Sequence, residues 1–387
     1  MMRCRRNAFP VLLLALALLL SGCGSTIALP EDTAAPAPAE SAEASAAVTG
    51  HMELRYAEQF AVDYYSDGSA LVTVAGTDRF LVVPANWAGT SEFPVLRQGA
   101  DRLYVAATSA MDLFVQLGAL DSVRLTSTTL NNWGLPEVRK AMEAGTLAYA
   151  GKYSAPDFEM LLSEGVTLAV ESTMIYHSPD IQEKIESLGI PVLVERSSYE
   201  PHPLGRVEWI RLYGLLLGME DAAETFFDAQ VRQLDELRTL PAADQSVAFF
   251  HISTTGAAVV RKPGDYVSKL IELAGGQYVF SDLPGSDENA LSTMNMQMEA
   301  FYAGAKDADV LIYNSTIDGE LETLDQLLEK SALLADFKAV KSGNVWCTEH
   351  NMFQKSSAAA GMISDFNTVL SLGPDAPDQL TFLHRLK

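Results

Sequence analysis

Short apolar runs and amphipathic segments take turns along most of this chain, and that alternation restricts its fold more than any other feature. "RLYVAAT" (102–108) reads as a strand and "SAMDLFVQLGAL" as the helix after it. "SVRLTS" is a strand, and "GLPEVRKAMEAG" opens a helix with Pro136 near its N-terminus. "APDFEMLLSEG" is a helix, "VTLAVES" a strand, "SPDIQEKIESLG" a helix stopped by Gly189, and "IPVLVER" a strand. Strands and helices alternating at this spacing make βα units around a parallel sheet. From Val207 to Leu240 the alternation gives way to one long helical stretch, interrupted at most briefly by Gly218. After Pro241 it resumes, through "SVAFFHIS", "DYVSKLIELAGG", "MQMEAFYAGAKDA", "DVLIYNS" and "NVWCTEH", to a closing helix in "SSAAAGMISDFNTVLSLG". Upstream, "FAVDYYSDGSALVTVA" reads as two strands around a Ser66-Asp67-Gly68 turn. The expectation is two α/β lobes, 53–206 and 241–387, bridged by a helix over 207–240.

The first 52 residues belong to neither lobe. Arg3, Arg5 and Arg6 precede an apolar run from Phe9 to Leu20. That run is shorter than the roughly 20 residues that span a bilayer. The order of basic flank, short apolar core and small residues reads as a secretory signal over 1–22. Leu20-Ser21-Gly22 before Cys23 resembles a bacterial lipobox, which implies cleavage before Cys23 and its lipidation. The alternative is an ordinary secreted chain in which Cys23 is incidental. Residues 23–52, rich in Ala, Pro, Ser and Glu, form a flexible tether that cannot bury enough apolar surface to order itself. The expected location is the extracytoplasmic face of the cell membrane, reached through the lipid anchor alone. The net charge of −23, or −26 without the three arginines of the signal, argues against a nucleic-acid partner. Beyond Cys4 and Cys23 the one cysteine is Cys347, so no intrachain disulfide framework and no cysteine-based metal cluster is expected.

Several pieces, in their order and spacing, resemble the substrate-binding lipoproteins of ABC importers for ferric siderophores, haem and cobalamin. They are "ATSAMDLFVQLGALDSV", "AGKYSAPDFEMLLSEGVTLAV", "LGIPVLVE", "EWIRLYGLLLGMEDAAETF", "YVSKLIELAGGQYVF" and "DFKAVKSGNVW". Where that family has an Asn-Pro-Asp type of turn before its buried strands, this chain reads "SEGVT" and "KDADV". The resemblance implies an α/β fold of two Rossmann-like lobes with parallel-sheet cores joined by a single long helix, with a ligand cleft between them. It implies a monomer, not an enzyme, that captures a small-molecule metal chelate and delivers it to an ABC permease dimer. One exposed glutamate per lobe docks on the permease in that family, and by position these are Glu159 and Glu299. Two carboxylates near helix N-termini suit paired arginines on a two-fold partner. Without the resemblance they read as ordinary first-turn glutamates.

Ligands of open α/β sheets bind outside the carboxyl ends of the strands. That rule selects loops carrying Trp133, Lys152, Tyr153, Tyr176, His177, Tyr199 and Arg206 in the first lobe. In the second it selects Arg261, Trp346, His350 and Phe353. Aromatic rings beside cations in an acidic chain suit a large, flat or anionic chelate. Each aromatic has a plainer reading as loop packing, and Arg206 could instead pair with Glu195 or Glu200. A ferric siderophore is the first expectation. Haem, its iron held by Tyr176, His177 or His350, or a corrinoid is the second. A surface sensor or adhesion module on the same scaffold is the reading from another class. The six histidines are scattered, so no directly bound metal and no protein-held cofactor is expected.

Overall fold

An antiparallel meander precedes the first βα unit. Strands β1 (Val48–His51), β2 (Phe60–Tyr65), β3 (Ala70–Val74) and β4 (Asp78–Val83) pair antiparallel in chain order, and β5 (Val95–Arg97) joins β4 in parallel. The turn expected at Ser66-Asp67-Gly68 is there, with Gly68 at φ 82° and Asp67 accepting from the Ser69 amide. Phe60, Val62, Val72, Val74 and Phe80 point to its buried face, the period-two pattern of a half-covered sheet. The structure is a computed structural model that describes residues 46–239, 243–283, 293–317 and 319–387. The signal sequence over 1–22, Cys23 and the tether up to residue 45 lie outside the described residues. The tether expected to reach residue 52 ends earlier, because Val48–His51 adds to the edge of β2. No described helix is long and apolar enough to cross a membrane.

The first lobe runs β6 (Leu103–Val105), α1 (Thr108–Gln116), β7 (Val123–Thr126), α2 (Pro136–Glu143) and β8 (Ala148–Tyr149). A two-residue hairpin follows, β9 (Gly151–Lys152) and β10 (Ala155–Pro156), then α3 (Phe158–Ser163), β11 (Leu168–Ser172), α4 (Pro179–Ser187) and β12 (Val192–Glu195). The sheet order is β12-β11-β6-β7-β8, all parallel. The chain builds outward from β6 through β7 and β8, then returns to the other side of β6. The crevice at such a reversal, here between the carboxyl ends of β6 and β11, is where open α/β sheets take ligands.

The second lobe begins with β13 (Gln245–Ile252), which turns back through Gly256 into β14 (Ala258–Arg261). It continues with α7 (Tyr266–Leu273), β15 (Gly276–Tyr278), β16 (Thr293–Met296), α8 (Met298–Ala305) and β17 (Val310–Tyr313). It ends with α9 (Leu324–Lys330), α10 (Lys338–Ser342), β18 (Val345–Thr348), α11 (Ala359–Leu372) and β19 (Leu383–Arg385). Strands β15, β13, β17 and β18 are parallel neighbours, flanked by antiparallel β14 and β16 on one side and β19 on the other.

The two α/β lobes hold as expected, but their connection is not one rod. Counting the two bridging helices as α5 and α6 in this architecture, α5 (Pro203–Leu217) stops at Gly218, φ 68°, and α6 (Glu220–Leu237) folds back along it. Arg211 reaches Glu224 at 2.7 Å, and a Cβ added to Gly214 would lie 2.5 Å from that of Ala223. The close crossing therefore needs a glycine at 214. Every residue of α5 except Arg211 and Leu217 is buried. A helix apolar on all sides requires cover all round, and α5 gets it from α6, from α1 of the first lobe and from α7 of the second.

Two carboxylates on and beside α5 fasten the meander to it. Glu208 accepts the backbone amides of Arg55, Tyr56 and Ala57 at 2.8–3.1 Å. Glu200 accepts those of Glu58 and Gln59 and the indole N–H of Trp209. Five successive amides thus end on two buried acceptors, the stronger, charge-assisted kind of hydrogen bond. Burial pushes the Glu200 carboxyl up to about 6, against the opposing pull of these donors.

Candidate functional site

At the reversal point of the first sheet a cleft of about 490 Å³ opens between the lobes. Its first-lobe wall is made by the loops after β6, β7, β9, β11 and β12: Thr108 and Ser109, Ser127 and Thr128, Lys152 and Tyr153, Ser172 to Met174, and Ser198. The second lobe supplies Arg261 at the end of β14, Tyr266 at the start of α7 and Phe353 after β18. Arg206, on the first turns of α5, lies between them. Short hydroxyl side chains dominate this wall. Among the described residues no carboxylate lines this cleft, though the chain as a whole is strongly acidic.

The lining is held from behind. Ser109 Oγ donates to the buried Glu195 at 2.7 Å, whose other oxygen takes the Ser197 amide. Arg261 lies 3.5 Å from Asp265 and 5.1 Å above the Phe353 ring. Asp265 also caps α7 through the Val267 amide, which fixes Tyr266 next to it. Arg206 stacks 4.0 Å over the Tyr266 ring and donates to Ser356 Oγ at 3.3 Å.

Beside the cleft the lobes are latched. Gly134 N donates to Gln354 Oε1 at 2.7 Å, Gln354 Nε2 donates to Asn132 O at 2.8 Å, and His350 Nε2 sits 3.1 Å from the same carbonyl. A Cβ on Gly134 would come within 2.9 Å of Asn351 Cβ, so the approach depends on glycine. A further bond crosses between the lobes where the Ser357 amide meets the buried Asp112 at 2.8 Å.

Of the residues expected to meet ligand, Lys152, Tyr153, Arg206, Arg261 and Phe353 line the cleft. Trp133 and Trp346 do not, and their expectation is corrected. Trp133 is 1 % exposed, with its indole N–H on Thr128 O, and Trp346 is fully buried with its N–H on Asn344 and Arg385 stacked on its ring. Both indoles sit in loops or strand ends near the cleft but face the core, where their area is buried. Tyr176, His177, Tyr199 and His350 also lie off the lining. Tyr176 is exposed and meets Arg196, which covers Tyr199, while His350 belongs to the latch. The pairing of Arg206 with Glu195 or Glu200 is not found either, since both carboxylates are taken by other donors. The hydroxyls of Thr108, Ser127, Thr128, Ser172 and Thr173 were legible only as members of strand-end loops. Tyr266 was missed, although its place after the helix-capping Asp265 was a readable signal.

A larger cavity, about 1020 Å³, lies among Ser246, Gly276, Gln277 and Ala308, near the amino ends of the second lobe's strands. That is the end opposite to the one open α/β sheets use. Glu159 and Glu299, in the first turns of α3 and α8, are both exposed, and among the described residues neither has an ion-pair partner.

A family model described as periplasmic binding protein matches residues 105–351. An uncharacterized lipoprotein of Methanocaldococcus jannaschii is 24% identical over 62% of this chain, which spans 56% of that protein's length. A second one from the same organism is 24% identical over 86% of this chain and 87% of its own. Among solved structures, a periplasmic haem-binding protein from Pseudomonas aeruginosa superposes with a TM-score of 0.57 at 14% identity, over 74% of this chain and 98% of that one. The meander lies before the matched region. With a matching model over most of both lobes, and a cleft at the reversal of strand order, the chain belongs to the periplasmic binding protein family.

Proposed function

We propose that this protein is an extracytoplasmic solute-binding protein of an ABC importer, held to the membrane through a lipid on Cys23, that captures an anionic iron chelate of the ferric-siderophore type. The observation that carries the reading is the lining: Lys152, Arg206 and Arg261, many hydroxyls, the Phe353 ring and, among the described residues, no carboxylate, in a chain of net charge −23. A polyanionic chelate gains charge-assisted hydrogen bonds there and is repelled by most of the remaining surface. Glu159 and Glu299 fit the role of docking carboxylates, being exposed on separate lobes and, among the described residues, without an ion-pair partner.

Haem is the second reading, favoured by Tyr153 in the lining, since a tyrosinate is an axial ligand for ferric haem. Titration of the purified chain with ferric siderophores, haemin and cobalamin, followed by tryptophan fluorescence, tests the proposal. Saturable binding of an iron chelate is expected, and failure of every such compound to bind refutes it. For transport, replacing Glu159 and Glu299 together by Ala is expected to abolish uptake with binding unchanged. Uptake that survives the double replacement rules out the docking role.

A further inference from the structure

Arg206 is a buried cation without a matching anion. It is 5 % exposed and lines the cleft. Its Nε has no hydrogen-bond partner among the described residues, and the polar groups its other nitrogens reach, the Ser356 hydroxyl at 3.3 Å from Nη2 and the Tyr266 side chain, are both neutral. The guanidinium lies over the face of the Tyr266 ring at 4.0 Å. The two carboxylates near it in sequence point elsewhere: Glu195 holds Ser109 and the Ser197 amide, and Glu200 holds the meander and Trp209. A charge withdrawn from water in this way is costly unless something compensates it. Among the described residues no carboxylate is within ion-pair distance of it, so an anion entering the cleft meets a charge that the protein leaves uncompensated.

We infer that the missing partner is the ligand, and that Arg206 selects chelates that present a carboxylate at the meeting line of the two lobes. This rests on the reading of the cleft as the solute site. The guanidinium offers Nε–H beside an Nη–H, the fork that matches the two oxygens of a carboxylate. Both groups that now touch Arg206, Ser356 and Tyr266, belong to the second lobe, whereas Arg206 itself leads out of the first. A carboxylate taking the fork therefore exchanges a weak interlobe contact for a charged one, and lobes that part to admit ligand uncover Nε. Cationic or amide-decorated chelates lack the group that neutralises this site, and the site discriminates against them by leaving the charge unpaired.

The test uses the mature chain and four probes: haemin, its dimethyl ester, ferric citrate, and the ferric complex of a linear trihydroxamate without carboxylates. The wild type is expected to bind at least one carboxylate-bearing probe at least about tenfold more tightly than its counterpart without carboxylates, the effect of one charge-assisted fork. In Arg206→Gln that preference is expected to vanish, and in Arg206→Lys, which keeps the charge but not the fork, to be reduced. The ester arm needs no variant, so it stands even where a substitution impairs folding. Equal binding of both kinds of probe by the wild type overturns the inference and leaves the solute-binding reading intact. So does a preference that survives in Arg206→Gln. Binding of none of the four overturns the inference together with the reading beneath it.

Discussion

Glu171 is fully buried on β11 near the Tyr104 hydroxyl, and among the described residues neither of its carboxyl oxygens has a hydrogen-bond partner. Burial pushes its pKa from 4.5 up to about 8, so at neutral pH it is a protonated acid. The folded chain holds a proton that the unfolded chain releases above 4.5. Stability therefore falls as pH rises from the unfolded value toward about 8, and levels off above it. Each unit of that interval costs about 1.4 kcal/mol. Replacing Glu171 by Gln removes the titration while keeping the shape. The advantage of Glu171→Gln over the wild type should thus grow by about 3 kcal/mol between pH 5.5 and 7.5. Urea unfolding of the two proteins at half-unit steps of pH measures this difference and cancels contributions from other groups. A difference that stays flat across that range refutes the buried, neutral acid.

Other consequences are checked the same way. Glu208→Ala strands the amides of Arg55, Tyr56 and Ala57, and is expected to lower stability by about 3 kcal/mol in urea unfolding; a loss below about 0.5 kcal/mol contradicts the fastening role. The neighbouring Cys347, the Leu321 carbonyl and the Glu349 carboxylate push His384 up to about 10 against the effect of burial, with its two ring nitrogens on Glu349 and Leu321 O. Its contribution is complete below pH 6.5 and is lost as pH rises through about 10, so the deficit of His384→Asn should shrink toward pH 10.5 in thermal unfolding. Gln354→Ala removes two interlobe bonds worth about 1–2 kcal/mol together, and the radius of gyration in small-angle scattering should rise; an unchanged radius argues against a latch.

Much of the architecture was readable because its signals are local. A strand such as "VTLAVES" announces itself through its apolar run, and helices such as "PEVRKAME" and "SPDIQEKIESLG" through apolar period and through Pro136 at the start of the one or Gly189 at the end of the other. The parallel sheets followed from the alternation, and the strand-end rule placed Lys152, Tyr153, Arg206, Arg261 and Phe353 at the cleft. The same rule failed for Trp133 and Trp346. It selects a loop but not the direction of a side chain, and an indole beside a core is drawn into it by the area it buries. The bridge failed for a related reason. Residues 203–237 are helical throughout apart from the turn at Gly218 and Met219, and nothing local says that α6 folds back, because the cause is the all-round apolar surface of α5 seeking cover.

The sequence by itself determined the class of fold, the two-lobe division, the acidic exterior and the loops from which a site could be built, since each depends on period, composition or chain order. Only the tertiary structure decided which cations share one cleft and that, among the described residues, no carboxylate joins them and Arg206 is left without an anion. Those facts depend on contacts between residues far apart in the chain, such as Arg206 with Tyr266 and Ser356, and packing, not local propensity, sets which distant groups meet.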